Sequence, residues 1–150
     1  NKWTRKSNMP KGMYAISGSA IGGKVYVIAS RLNGDGSSKV LKYDPMTDTW
    51  TEKTDIPKEM EGLSTCVLNG NIYGIGGYDK TNRDFRTLST VVEYNPAENT
   101  WTQKADMPTP RADLSACVVN GKIYAIGGII SASDIEKKVT TIVEEFDPEF

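Results

Sequence analysis

Residues 120–128 read NGKIYAIGG and residues 69–77 read NGNIYGIGG, so one nine-residue stretch occurs twice in this 150-residue chain. Each copy opens with Asn-Gly, a dipeptide that accepts the positive φ angles of a two-residue hairpin turn. A short run with strand-forming residues follows, and two glycines end it. The stretch predicts the turn and second strand of a β-hairpin, and its recurrence predicts a repeat protein.

The similarity extends outward from this stretch. Between residues 50–77 and residues 101–128, 16 of 28 positions are identical without a gap. A Trp-Thr pair recurs with periods of 47 and 51 residues, a proline follows each tryptophan by seven residues, and a tyrosine follows it by 23. This spacing predicts three copies of one unit. The recurring positions are Trp3, Trp50 and Trp101, then Pro10, Pro57 and Pro108, then Tyr26, Tyr73 and Tyr124.

Each unit reads as four short strands, and no segment of useful length has the period of an amphipathic helix. The first two strands form the hairpin, the third ends before an Asx-Pro turn, and the fourth surrounds the tryptophan. The first strands are mostly apolar or small, which is typical of strands buried on both faces. They are predicted over Ala15–Ile21, Leu63–Leu68 and Leu114–Val119.

Residues 120–128, the third strand with its turn over 92–96, and Trp101-Thr102 together resemble the Kelch repeat. Kelch units of about 50 residues each form one four-stranded blade of a β-propeller. The resemblance implies an all-β Kelch-type propeller with blades of four antiparallel strands, three blades per chain, in a single region over 1–150. Within it we expect a fourth strand over 1–8 that completes a blade, and repeats over about 9–56, 57–107 and 108–150.

The resemblance also implies structural roles for the recurring aromatic residues and for the paired glycines. The aromatic rings bring large buried areas, and glycine permits close approach of another backbone. The first unit departs from the pattern, because Ala29-Ser30 stands in place of the diglycine. The structural residues are Trp3, Trp50, Trp101, Tyr26, Tyr73, Tyr124, Gly76, Gly77, Gly127 and Gly128.

The chain has no histidine, which removes Ser-His-Asp and Cys-His catalysis and the commonest metal ligand. Cys66 and Cys117 occupy the same place in two units, so we expect them to lie beyond the Cα separation of about 7 Å that a disulfide allows. Both are predicted to be buried free thiols. Residues 33–38 resemble a calcium loop, but a Gly/Asp-rich hairpin loop is the alternative. We expect no cofactor and no bound metal.

In Kelch propellers that bind partners, the resemblance implies a binding face made of two sets of loops. One set joins a fourth strand to the next first strand, and the other joins second to third strands. The first set lies over 11–14, 58–62 and 109–113, and the second over 31–38, 78–87 and 129–138. Arginine and tyrosine are enriched at binding hot spots. The predicted ligand-binding residues are Arg111, Arg83, Arg86, Tyr78 and Phe85; the alternative is that these loops are only solvated connections.

The net charge of −1 and the acidic residues among the loop arginines argue against a nucleic-acid partner, and no apolar stretch is long enough for a membrane helix. The predicted function is a non-catalytic module that binds a protein or a glycan. The alternative is a metal-independent sugar-acting enzyme, similar to a sialic-acid mutarotase propeller. We expect two copies to close a six-bladed propeller as a homodimer, unless the chain is half of a longer six-repeat protein.

Overall fold

The computed structural model describes residues 1–30, 38–80, 86–132 and 137–149, and every helix or strand in these ranges is a β-strand. The first sheet has the order β1-β2-β3-β4, with all neighbours antiparallel. Its strands are β1 (Tyr14–Ile21), β2 (Lys24–Ser30), β3 (Lys39–Asp44) and β4 (Thr49–Glu52). The predicted all-β fold of four-stranded antiparallel sheets is confirmed.

The second sheet repeats this order, and the third sheet repeats its first three strands. The second is built from β5 (Ser64–Leu68), β6 (Asn71–Ile75), β9 (Val91–Asn95) and β10 (Thr100–Gln103). The third contains β11 (Ser115–Val119), β12 (Lys122–Ile126) and β15 (Val143–Phe146). Two short hairpins lie where only loops were expected, namely β7 (Tyr78–Asp79) with β8 (Arg86–Thr87), and β13 (Ile129–Ala132) with β14 (Lys137–Val139).

The tight turns between first and second strands have the predicted backbone. Both residues of each turn have positive φ: 56° and 70° at Gly22-Gly23, 50° and 79° at Asn69-Gly70, and 50° and 77° at Asn120-Gly121. Two consecutive positive φ angles define the turn that matches the right-handed twist of paired strands. The Asn-Gly and Gly-Gly dipeptides therefore set the register of all three hairpins.

The sheets pack face to face, as the blades of a propeller do. One apolar cluster joins the first and second sheets and includes Tyr26, Ile28, Ile72 and Tyr94. A second cluster joins the second and third sheets and includes Tyr73 and Ile123. Because successive side chains of a strand point to opposite faces, each sheet contributes to the cluster on either side of it.

Each fourth-strand tryptophan is held by the same set of contacts, which we call the tryptophan clasp. In the second sheet, Trp101 stacks on Tyr94 with ring centroids 4.9 Å apart, and its Nε1 donates to the Thr54 carbonyl oxygen at 2.8 Å. Asn99 Oδ1 accepts from the Tyr94 hydroxyl at 2.6 Å and from the Thr54 amide at 3.1 Å. The clasp ties the end of one repeat to the next.

The first sheet has the same clasp with different partners. Trp50 stacks on Tyr43 at 4.8 Å and donates to the Ser7 carbonyl oxygen at 3.0 Å. Asp48 Oδ1 accepts from the Tyr43 hydroxyl at 2.5 Å and from the Ser7 amide at 3.0 Å. Residues 1–8, expected as a fourth strand, form no strand within this chain, and Trp3 is fully exposed.

The outer face of the third sheet is exposed, which corrects one expectation. Cys66 is buried, as predicted, and burial raises the pKa of its thiol to about 12. Cys117 is exposed, because no further sheet of the described chain covers that face. For the same reason β11 is only half-buried, although a strand buried on both faces was expected. Both thiols are free, as predicted.

Within the described residues, no helix has the length and hydropathy needed to cross a membrane.

Candidate binding face

The loops of both predicted sets lie at one end of the sheets, which we call the loop face. Each first strand pairs antiparallel with the second strand. The start of β1 and the end of β2 therefore lie at the same end of the sheet. The tight turns lie at the opposite end. The loop face is formed by the described parts of residues 10–14, 53–63 and 104–114 and of the second-to-third-strand connections.

The paired glycines let these loops approach closely. A Cβ on Gly77, at φ 113°, would lie 2.9 Å from the Glu61 carbonyl oxygen, and a Cβ on Gly128, at φ 98°, would lie 2.7 Å from the Ala112 carbonyl oxygen. The residues that follow the glycines then pair with the loops: Glu61 bridges to Tyr78, and Ala112 bridges to Ile129. These bridges explain the short hairpins, since Tyr78 and Ile129 are buried anchors.

A polar cluster on the loop face joins the first and second units. The Tyr14 hydroxyl donates to Glu61 Oε2 at 2.5 Å. The Lys80 ammonium forms an ion pair with the other oxygen of the Glu61 carboxylate and lies 5.6 Å from the centroid of the Tyr14 ring. The Glu61 side chain is 11% exposed and that of Lys80 is 28% exposed, so the cluster lies at the boundary with solvent.

A second contact joins the second and third units. The Tyr78 hydroxyl donates to Asp113 Oδ2 at 3.3 Å, and the Asp113 amide donates to the Gly62 carbonyl oxygen at 2.9 Å. Asp113 has φ 51° and the equivalent residues Gly62 and Ala15 have 68° and 49°, so all three units take a left-handed conformation at this point. Of the three residues at this position, only Asp113 carries a polar side chain to the loop face.

The environment of these groups shifts their pKa values. The hydrogen bond to Glu61, and then burial, raise the pKa of Tyr14 to about 12. Burial, and then the charge of Asp113, raise the pKa of Tyr78 to about 12. Burial and the charge of Glu61 raise the pKa of the Glu59 carboxyl above its ordinary value. At neutral pH both phenols are therefore protonated donors aimed at carboxylates.

Arg111 is buried, which corrects the expectation that it lies on the ligand surface. Its Nη1 donates to the carbonyl oxygens of Ala125, Gly127 and Ile142 at 3.0 to 3.3 Å, and its Nη2 pairs with Glu144 Oε2 at 2.7 Å. The Arg111 side chain is 0% exposed. These contacts hold the loop over 109–113 against β12 and β15, so Arg111 supports the face from inside the third sheet.

The other predicted ligand-binding residues fall in different places. Tyr78 is also buried, with only its hydroxyl directed to the Asp113 carboxylate. Arg86 is exposed on β8. Arg83 and Phe85 lie outside the described residues, as do residues 33–37 of the calcium-like loop.

Sequence reasoning missed Tyr14, Glu61, Lys80 and Asp113. A signal was present, because Tyr14 and Glu61 occupy the same position of successive units, one residue before the left-handed residue. Only one of the three left-handed residues is glycine, so the shared conformation was not visible. In the described ranges, no three His, Cys, Asp or Glu side chains are grouped as metal ligands.

Comparison with known proteins places this arrangement in a family. The family model described as the KLHDC2/KLHL20/DRC7 Kelch-repeats domain matches residues 1–128, and the Kelch motif matches residues 110–150. Kelch-like protein 35 of Mus musculus is 27% identical over 149 residues, which is 99% of this chain and 24% of that protein. Kelch-like ECH-associated protein 1B of Danio rerio is 39% identical over 54 residues, 36% of this chain and 8% of that protein.

A solved structure of YjhT has the same fold, with a TM-score of 0.68 and 22% identity. The match covers 84% of this chain and 37% of the YjhT chain. The chain thus spans less than two fifths of each of these relatives. The family model covers most of the chain, and the sheets have the order and the face-to-face packing that the repeat implies. The chain belongs to the Kelch-repeat family.

Proposed function

We propose that this chain is a non-catalytic binding module whose loop face holds a polar protein or glycan ligand. The observation that carries the proposal is the cluster of Tyr14, Glu61 and Lys80, continued by Tyr78 and Asp113, at one end of the sheets. Loops on a rigid β-scaffold are where binding residues are usually found. The hydrogen bonds within the cluster hold its side chains before any ligand arrives, which lowers the entropic cost of binding.

The loop face carries charges of both signs, and its carboxylates suit a ligand with cationic or hydroxyl groups. Glu59, Glu61, Asp79 and Asp113 supply carboxylates, and Lys11, Lys58, Lys80 and Arg86 supply cationic groups. A basic side chain of a protein, or the hydroxyls of a sugar, would find acceptors here. We propose that Arg86, Arg83 and Phe85 contact the periphery of the ligand. The buried side chains of Tyr78 and Arg111 fix the position of the loops and do not contact the ligand directly.

Screening the full chain on peptide and glycan arrays tests the proposal, followed by titration of the best ligand. Asp113→Asn removes a charge while keeping a residue that tolerates φ near 51°. We expect it to weaken binding at least about tenfold, the loss of one charged contact. Glu98→Gln is the matched control, since Glu98 is exposed in the turn between β9 and β10, at the opposite end of the second sheet from the loop face. A ligand whose affinity ignores Asp113→Asn and Glu61→Gln binds elsewhere.

We further propose that two copies assemble into a closed six-bladed propeller. The support is the outer face of the third sheet. Its residues occupy the positions that the second sheet buries against the third, yet Val119, Ile126 and Val143 are 50%, 41% and 59% exposed. Exposed apolar faces of this kind mark association surfaces. Cys117 lies on this face, so alkylation of its thiol should slow as protein concentration rises. A rate independent of concentration contradicts the assembly.

The alternative function is a metal-independent enzyme that acts on a sugar, as in a sialic-acid mutarotase-like propeller. The feature in its favour is a carboxyl with raised pKa, Glu59, close to a second carboxylate, Glu61, and to the Tyr14 phenol. Carboxyl groups in contrasting environments can act as acid and base. Exchange of sialic-acid anomers followed by NMR is the assay. Catalysed exchange that Glu59→Gln abolishes would favour the enzyme over the binding module.

A further inference from the structure

A partly open cleft lies between the second and third sheets. Its walls include side chains of β6, β9 and β12 and the segment over 105–108, and Phe146 and Glu145 of β15 stand at one side. The lining is mainly apolar. No side chain of the described residues fills the cleft. Its lining residues can be compared with the residues at the equivalent positions one repeat earlier.

One repeat earlier, the equivalent site is occupied by the side chain of Trp101. The apolar cluster against which Trp101 packs contains Ile28, Val40, Ile56, Ile72 and Tyr94. The residues at the same positions of the next unit line the cleft: Ile75, Val91, Met107, Ile123 and Phe146. Ala105, which also lines it, corresponds to Thr54, whose carbonyl oxygen accepts the hydrogen bond from the Trp101 indole. The cleft therefore has the apolar lining of the Trp101 site and, at Ala105, the position of the carbonyl that accepts from the indole.

Trp3 is the tryptophan of this chain that has no such site. Trp50 and Trp101 are each held in a tryptophan clasp, whereas Trp3 is fully exposed. Ser7, four residues after Trp3, contacts Asp48 and Trp50 as Thr54, four residues after Trp50, contacts Asn99 and Trp101. Ser7 thus lies against the first sheet as Thr54 lies against the second, and Trp3 precedes Ser7 at the spacing at which Trp50 precedes Thr54.

The charges of the two partners are complementary. In the second sheet Lys104, three residues after Trp101, pairs with Glu93 at 2.6 Å. The corresponding residues are Lys6, three residues after Trp3, and Glu145, which occupies the Glu93 position of β15. Lys2 and Arg5 add positive charge around Trp3. Glu145 and Asp147 share a single cation, Lys122, so this part of β15 keeps a net negative charge, while Glu144 pairs with Arg111. A basic strand therefore fits the acidic edge of β15.

We infer that the cleft is a tryptophan socket, filled by Trp3 of a second copy of this chain while residues 3–6 of that copy pair along β15. The inference rests on the proposed assembly and names the residues that make it. Each copy gives one tryptophan and receives one, so the contact is reciprocal, as a two-fold dimer requires.

Sedimentation equilibrium of Trp3→Ala tests the socket. We expect the dimer of this variant to dissociate at least about tenfold more readily, since a buried tryptophan is a typical interface anchor. Met46→Ala is the matched control, because Met46 is 87% exposed on a turn away from the cleft, and it should assemble like the wild type. A wild-type dimer that Trp3→Ala leaves intact overturns the socket while the assembly stands. A monomeric wild type overturns both.

A charge exchange tests the strand pairing independently of any folding defect. Glu145→Lys and Lys6→Glu should each weaken self-association, because like charges would face each other across both contacts. Mixing the two variants should restore dimers, since each mixed pair has one reversed and one native charge contact. A mixture that remains as weakly associated as its components overturns the placement of residues 3–6 on β15.

Discussion

The second and third sheets have the same register but different interiors. In the second, Ile72 pairs with Tyr94, and in the third, Ile123 pairs with Phe146. Where the second sheet has Met60 and Val92 in an apolar cluster, the third has Arg111 and Glu144 in an ion pair. The loop before a first strand can therefore be fixed to its sheet either by apolar contact or by a buried charge pair.

The ion pair is tolerated because nearly all of its polar atoms have partners. Three carbonyl oxygens and one carboxylate accept from the Arg111 guanidinium, and only Nε is without a hydrogen bond among the described atoms. The transfer of two charged groups from water to the protein interior costs free energy, which offsets their mutual attraction. A buried ion pair therefore often contributes no more to stability than an apolar pair of similar volume. Removing one partner alone leaves the other charge without its ion partner, and this asymmetry predicts a large effect.

Arg111→Met should lower the free energy of unfolding by about 3 kcal/mol, the lower end of the range for a broken buried pair, because the partly exposed Glu144 carboxylate keeps only its hydrogen bond from Thr109. Arg111→Met combined with Glu144→Val copies the second sheet and should bring the protein back to within about 1.5 kcal/mol of the wild type. Urea denaturation measures both. A double variant as unstable as the single one would show that the pair does not replace the apolar contact.

The first glycine of each diglycine is packed differently in the second and third sheets. A Cβ on Gly76 would lie 2.3 Å from the Arg111 carbonyl oxygen, whereas the nearest atom to a Cβ on Gly127 is 3.5 Å away. Both have positive φ, 67° and 61°. Gly76→Ala should therefore cost about 2–5 kcal/mol, from overpacking added to left-handed strain, and Gly127→Ala about 1–2 kcal/mol from strain alone. Equal thermal shifts for the two variants would contradict the packing difference.

The smallest effect concerns the tryptophan clasp. Trp101→Phe keeps an aromatic ring near Tyr94 but removes the N–H that donates to Thr54. The loss of one hydrogen bond should cost about 1 kcal/mol. Trp3→Phe, at an exposed position, should leave the unfolding free energy of the monomer unchanged within about 0.5 kcal/mol. A larger loss for Trp3→Phe under monomeric conditions would place Trp3 inside this chain's own fold.

The fold could be predicted from the sequence because its signals are local. The turn dipeptides, the diglycines and the tryptophan spacing each act within one unit, and they gave the strands and their order. The role of Arg111 could not be predicted in the same way, since its partner Glu144 lies 33 residues away and the pairing depends on the register of β12 with β15. The exposure of Cys117 likewise depends on which sheet packs next, and strand composition does not report this.

We propose that the exposed face of the third sheet is a packing surface for a second copy of this chain. Static light scattering at micromolar concentration tests it most directly. A mass of about twice 16.5 kDa is the predicted result, because two copies bury both faces and close the ring. A stable, folded species of 16.5 kDa at that concentration would contradict the claim.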